Sequence, residues 1–212
     1  MLITKPLRKV LEEHPEFKGK LGWSYDQYSG ILENPQFGKV EQIVVCREDG
    51  TPIFDQYSIT ETPGSVILPY DNIKSVIRVG LITQNRYVPG KDFLEAPRGF
   101  GEENEEKCLT AYRELLEETG FVASEENISY LGKVNHNTAF YTTDIAVFSA
   151  QFGQLEEIIN LNGDNLVEKI TKIAPYSFRD LRKLQQEGRI ECGITNSALF
   201  LFGCRFPEFY QE

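Results

Sequence analysis

Histidine is scarce in this chain, its cysteines follow no paired spacing, and long apolar runs are missing. The two histidines, His14 and His136, stand at no zinc-finger spacing, and Cys46, Cys108, Cys192 and Cys204 form no C-x-x-C pair. A zinc-finger type of site is thereby excluded. Basic residues are outnumbered as well: 22 Lys and Arg face 32 Asp and Glu, for a formal net charge of −10. No nucleic-acid partner is expected from that balance. No apolar run approaches the roughly 20 residues that span a bilayer, so no membrane partner is expected. The opening stretch MLITKPLRKVLEEH lacks the apolar core of a secretory leader. The expectation is a soluble, cytoplasmic protein with reduced thiols.

What is present is enough apolar residue, 41% of 212, to bury an ordinary core without disulfides. The expected organisation is an N-terminal extension over 1–60, a possible dimerisation region, followed by one main domain over 61–212. Leu7, Val10 and Leu11 predict a short helix. Residues 15–38, rich in Gly, Pro and aromatics, read as irregular. Strands are predicted at 40–48 and 52–60 around the Asp49-Gly50 turn. Two more, SVILPY and IKSVIRVGLIT, follow Pro63-Gly64 and end near Gln84. A helix is predicted over 103–119, strands at 128–134 and 140–151, a polar loop at 153–165 and a short strand at 167–173. Ser177, with Asp180 three residues on, opens a second helix that Gly188 closes. A last helix runs over 194–203. This order predicts a mixed α/β sandwich.

The informative stretch runs from Gly99 to Phe121. Residues three and four apart share a helix face, so Glu114 neighbours both Glu117 and Glu118. Like charges so placed repel, and the C-terminal end of a helix is unfavourable for anions. Three carboxylates gathered there need a compensating cation. Hard divalent cations take oxygen ligands, and Mg2+ needs few carboxylates while taking others from substrate phosphate. Cys108, Ala111 and Leu115 form an apolar stripe for packing. Arg113 reaches Glu117 one turn on, or pairs with Glu105. Gly120 is placed to end the helix. A Glu-rich helix alone would more often be merely solvated.

The spacing resembles the Nudix box, G-x5-E-x7-R-E-U-x-E-E-x-G-U, with U a bulky apolar residue. Gly99, Glu105, Arg113, Glu114, Leu115, Glu117, Glu118, Gly120 and Phe121 occupy every fixed position. A chance match at one start site is on the order of one in a billion at ordinary residue frequencies. The resemblance implies an α/β/α sandwich with a mixed sheet, built around a loop–helix–loop that binds Mg2+, or Mn2+, on a diphosphate. Glu114 and Glu118 are the implied principal metal ligands, with Glu117 sharing and the carbonyl of Arg98 adding a further oxygen. Gly99, Glu105, Arg113 and Gly120 are implied to shape the box rather than to do chemistry.

Flanking segments extend the likeness. Phe93 to Gly99 resembles the E-L-P-A-G segment of ADP-ribose pyrophosphatases, and Leu81 to Arg86 resembles their strand ending in R-Q-Y-R. That implies a substrate-binding set of Gln84, Arg86, Glu95 and Arg98, with Glu95 near the metals. Leu181–Ile190 and Thr195–Ala198 resemble the subgroup's closing helices. Two departures stand out. Arg98 replaces the usual Ala before Gly99, and Asn135–Phe140 replaces a proline-glycine pair. Arg98 is expected either to reach a substrate phosphate or to point into water. Glu118, Glu117 and Glu168 are the catalytic candidates, Glu168 by likeness to an E-x-I step and as the general base. Glu156, Glu157 and Asp164 are rivals for that role. Trp23, Tyr25, Tyr28 and Phe37 are candidates to stack on a nucleobase, though core or dimer packing suits each as well.

The expected function is hydrolysis of a nucleoside diphosphate-linked small molecule, ADP-ribose to AMP and ribose 5-phosphate, by a homodimer. The alternatives are another nucleotide sugar such as GDP-mannose, a dinucleoside polyphosphate, or a non-catalytic metabolite sensor.

Overall fold

The computed structural model describes residues 2–17, 31–35, 37–159 and 169–211. Contacts group the chain into two compact units: Met1–Thr62 with Asn137–Thr143, and Pro63–His136 with Asp144–Glu212.

The first unit opens with β1 (Leu2–Pro6) and α1 (Leu7–Glu13), the short helix expected there. β2 (Ile31–Asn34), β3 (Gly38–Arg47) and β4 (Pro52–Glu61) follow. β3 pairs antiparallel with β1, β2 and β4. Leu7 and Val10 of α1 bury against Val44 and Cys46 of β3, because alternate β3 residues share one sheet face. The β3–β4 connection turns at Gly50, whose φ of +89° suits glycine, as the Asp49-Gly50 signal implies. Residues 137–143 extend this unit: Ile59 donates its N–H to the Phe140 carbonyl at 2.7 Å, and Thr142 donates to the Ile59 carbonyl at 2.9 Å.

The second unit contains β5 (Gly64–Ile73), β6 (Val76–Arg86), β7 (Lys91–Glu95), β8 (Arg98–Phe100), α2 (Lys107–Thr119), β9 (Ile128–Val134), β10 (Ile145–Phe152), β11 (Ile158–Ile159), β12 (Lys169–Ser177), α3 (Phe178–Gln186) and α4 (Gly193–Arg205). Its sheet runs in the order β11-β12-β6-β5-β10-β9, with β7 paired to β6 and β8 to β5. β10 lies parallel to β5, whereas β5 and β6 are antiparallel, so the sheet is mixed. On one face Val66, Leu68, Val79, Leu81 and Val147 pack with Leu181 and Leu184 of α3 and with Ala198 and Phe202 of α4. On the other, Ile67, Ala146 and Phe148 pack with Ala111 and Leu115 of α2. The period-2 alternation of the strands thus produces the α/β/α sandwich. Ser177 and Asp180 form the capping box, and Gly188 takes φ +69° just beyond α3.

Three differences from the sequence reading have physical causes. The run Ile73–Thr83 is not one strand, because Lys74 and Ser75 turn the chain at φ +52° and +67°. Neither is the Asn or Gly that normally signals such a hairpin. β10 begins at Ile145 rather than at 140, since the preceding residues pair with β4. β12 continues to Ser177, four residues past the predicted end, along its antiparallel partner β6.

One buried ion pair was not anticipated. Asp71, fully buried, accepts a bidentate bond from Arg78 across the β5–β6 hairpin. It also accepts the Leu155 N–H at 2.7 Å, and Arg78 Nη2 donates to the Leu155 carbonyl at 3.3 Å. The chain leaving β10 is thereby anchored to the sheet.

Leu115 is fully buried and holds α2 to the sheet. Leu115→Ala is expected to lower unfolding free energy by about 2–5 kcal/mol, measured by urea denaturation. A loss under about 1 kcal/mol would contradict the packing described.

Candidate active site

The site is assembled where α2 meets β7 and β8. The helix predicted from 103 starts at Lys107, because Glu105 organises the preceding loop instead of joining the helix. Its carboxylate accepts from the Glu102 N–H at 3.0 Å, from Thr110 Oγ1 at 2.8 Å and from Arg113 Nε and Nη2, both at 3.1 Å. Asn104 takes φ +63° within this loop. At the other end Gly120 adopts φ +73° and returns its N–H to the Leu116 carbonyl at 2.8 Å. That left-handed residue stops the helix just after the last carboxylate.

Arg113 is the hub. Nη2 donates to the Phe100 carbonyl at 2.7 Å, while Nη1 donates to Glu114 Oε1 at 2.7 Å and Glu117 Oε2 at 3.1 Å. Of the three clustered carboxylates, the Arg113 guanidinium pairs with Glu114 and Glu117. Both alternative partners anticipated for Arg113, Glu105 and Glu117, are engaged at once. The Arg113 hydrogen bond is the main cause holding the Glu105 carboxyl down at about 2. Arg113 is correspondingly raised, first by Glu105 and then by Glu114.

Glu114 and Glu118 are buried, whereas Glu117 is exposed. The two buried carboxylates meet consecutive residues of β8. Glu118 Oε2 accepts the Arg98 N–H at 2.9 Å. The Glu114 carboxylate lies against the α-carbon of Gly99, so closely that any Cβ there would collide with it. Gly99 thus serves close approach, not a turn, since a Cβ there would displace the Glu114 carboxylate from its seat.

Beside them lies Glu95, only 3% exposed. Arg86 Nη2 donates to it at 2.7 Å and Arg98 Nη2 at 3.1 Å. Burial pushes the Glu95 carboxyl up, but the Arg86 hydrogen bond and both guanidinium charges outweigh it, and the net shift is downward. Arg98 therefore does not simply point into water: it pairs with Glu95. Gln84, on the same face of β6, is 1% exposed, and both polar atoms of its amide lack a hydrogen-bond partner among the described residues. A buried polar group left so costs about 1–3 kcal/mol.

Gln84, Arg86, Glu95, Arg98, Gly99, Glu105, Arg113, Glu114, Glu117, Glu118 and Gly120 thus all fall on β6, β7, β8 or the α2 segment. Glu168 and its rival Asp164 lie outside the described residues, as do Trp23, Tyr25 and Tyr28. Glu157 is ion-paired to Lys172, and Glu156 is exposed. His14 contacts Glu16 in the first unit, where Phe37 is exposed; His136 is exposed. Among the described residues no three acidic, histidine or cysteine side chains converge as a metal cage. Two site-shaping residues escaped the sequence reading. Thr110 braces Glu105, and Thr195 Oγ1 accepts the Ala96 N–H at 3.0 Å. Thr110 was open to discovery by its i+5 spacing from Glu105; the likeness that covers Thr195–Ala198 gives Thr195 no part in the site.

The NUDIX domain family matches residues 65–189, more than half of the chain. The chain belongs to the Nudix family. A solved structure described as an ADP compounds hydrolase superposes with a TM-score of 0.59 at 19% identity, covering 82% of this chain and 88% of that one. At that identity the likeness establishes the fold. No curated protein sequence matches the chain.

A carboxyl depressed in the folded state stabilises it above the unfolded pKa and ceases to do so as pH falls through the folded value. For Glu105 that window runs from its ordinary 4.5 down to about 2. Wild type is expected to exceed Glu105→Gln in urea midpoint at pH 6, with the difference shrinking steadily from pH 4.5 downward. A pH-independent difference would show that the Glu105 charge contributes nothing.

Proposed function

We propose that the chain is a divalent-metal-dependent hydrolase of nucleoside diphosphate-linked small molecules, with ADP-ribose as substrate and AMP and ribose 5-phosphate as products. The observation that carries this reading is the seating of Glu114 and Glu118 against Gly99 and the Arg98 N–H. It places two buried hard-oxygen donors on one short backbone step. Glu114, Glu117 and Glu118, with the Arg98 carbonyl, form the ligand set for Mg2+ or Mn2+. Their donor chemistry fits: all are oxygens, and carboxylates dominate. When bound, the metal supplies charge neutralisation at the diphosphate and a more acidic water.

The chain's own residues do the rest. Arg113 Nε and Nη2 are held by Glu105 and the Phe100 carbonyl, while Nη1 faces Glu114 and Glu117. The guanidinium therefore keeps its place in the loop. Glu118 and Glu117 serve catalysis from α2, and Glu168 is the candidate base that takes a proton from the attacking water. The water oxygen bonds to one phosphorus, and the bridging oxygen leaves with the other phosphate. Gln84, Arg86 and Arg98 bind the substrate, and Glu95 sets the two guanidiniums in place. A substrate group that pairs with the Gln84 amide relieves its buried, unpartnered state. The solved ADP compounds hydrolase of like fold makes an ADP-linked substrate the natural first choice. Among the described residues no helix is long and apolar enough to cross a membrane. We place the Nudix domain at 61–212 and assign residues 1–60 to homodimerisation, in a cytoplasmic protein.

With Mg2+ present, kcat/KM is expected to be highest for ADP-ribose in a panel with GDP-mannose, NADH and diadenosine polyphosphates. A better GDP-mannose or dinucleotide would replace the ADP-ribose assignment and leave the hydrolase reading standing. Turnover is expected to vanish on chelation. Glu118→Gln is expected to cut kcat by orders of magnitude with its urea midpoint preserved, since it removes ligand charge and keeps shape. Normal turnover by that variant at limiting Mg2+ would sink the ligand assignment.

A further inference from the structure

We infer that Thr195, on α4 and outside the box, is a positioning residue for the proposed metal site, acting through the Arg98 peptide on Glu118; this rests on the metal reading above. β7 and β8 are joined by Ala96-Pro97, and both residues are buried. The polar backbone groups of this step go to three different elements. The Ala96 N–H donates to Thr195 Oγ1 at 3.0 Å, from α4. The Pro97 carbonyl accepts from the Ile67 N–H of β5 at 2.9 Å. The Arg98 N–H donates to Glu118 Oε2 of α2 at 2.9 Å.

Proline lies at the centre of this step. It brings no N–H, fixes its own φ and restricts the residue before it. The N–H groups on either side of Pro97 are therefore linked by fewer free torsions than in an ordinary step. One is set by Thr195, and the other sets the Glu118 carboxylate. A tilt of the Ala96 peptide has fewer free torsions in which to dissipate before it reaches the Arg98 peptide.

The surroundings of Thr195 sharpen the point. It is fully buried, and its neighbours in chain and space, Ile194, Ala198 and Ala96, belong to the apolar cluster beneath α4. A hydroxyl in such a place is costly unless it is bonded. Valine would fill the same volume and offer no acceptor. The hydroxyl thus serves the Ala96 N–H, and that bond spans 99 residues of sequence. Groups bonded directly to a metal ligand, as the Arg98 N–H is to Glu118, typically govern about 10–100-fold in metal affinity, and Thr195 acts by setting that peptide.

The test uses the full chain and Mn2+ alone, with free Mn2+ followed by electron paramagnetic resonance and folding followed separately by urea denaturation. Thr195→Ser keeps the oxygen and is expected to bind Mn2+ as wild type does. Thr195→Val and Thr195→Ala lose it and are expected to bind about tenfold more weakly or worse. Thr195→Ala, which relieves any crowding, keeps the measurement open should Thr195→Val fail to fold. Wild-type affinity in the folded Val or Ala variant overturns the inference. So does equal weakening in the Ser variant, which would point to packing and not to the hydrogen bond. Absence of saturable Mn2+ binding by wild type would instead remove the metal reading beneath it.

Discussion

One guanidinium makes the carboxylate helix possible. Glu114 and Glu117 share Arg113 Nη1, and Glu105 takes Nε and Nη2 from the opposite side. Exposed ion pairs are weak because water screens them and long side chains lose freedom. This group differs, since Glu114 is buried and the guanidinium itself is only 24% exposed. An uncompensated charge at Glu114 would be severely unfavourable there. The loop that precedes α2, the start of the helix and the placement of its acidic face all follow from satisfying this one cation.

The same constraint explains why the box can be read from sequence at all. Its contacts are local: Glu105 to Arg113, Arg113 to Glu117, Gly120 to Leu116. Each bond needs particular residues at a fixed short spacing, so the pattern survives in the primary structure. The sandwich was legible for a related reason, because alternating strands and a 3.6-residue stripe at Cys108, Ala111 and Leu115 declare their buried faces. What stayed hidden depends on sheet register. The meeting of Arg86 with Glu95, the burial of Gln84 and the reach of Thr195 to Ala96 are set by which strands lie side by side. The Lys74-Ser75 hairpin was missed for a local reason: its backbone is unusual and its residues are not.

Glu95 illustrates how a likeness can locate a residue and leave its job open. Resemblance to a known segment puts it near the proposed metal ligands, and it does stand beside Arg98. Its carboxylate is nonetheless committed to two guanidiniums. Desolvation alone would favour its neutral form, yet the paired positive charges keep it ionised. Arg98, the departure from the usual alanine, supplies one of those charges. Its backbone N–H also supports Glu118. A single position therefore joins the carboxylates of the helix to the polar groups of the hairpin.

The β6–β7 hairpin carries Gln84, Arg86 and Glu95, yet its tip turns away from them at Tyr87–Gly90, where Val88 is fully exposed. The antiparallel register from Ile82–Glu95 to Arg86–Lys91 is complete before the tip begins. Residues can be inserted or exchanged there without shifting a rung of the ladder below. The tip is thus the part of the hairpin free to vary, while the rungs that hold Gln84, Arg86 and Glu95 are fixed by their pairing with one another's strands. A longer loop can therefore be grafted onto this edge of the sheet at little cost to the strands beneath it.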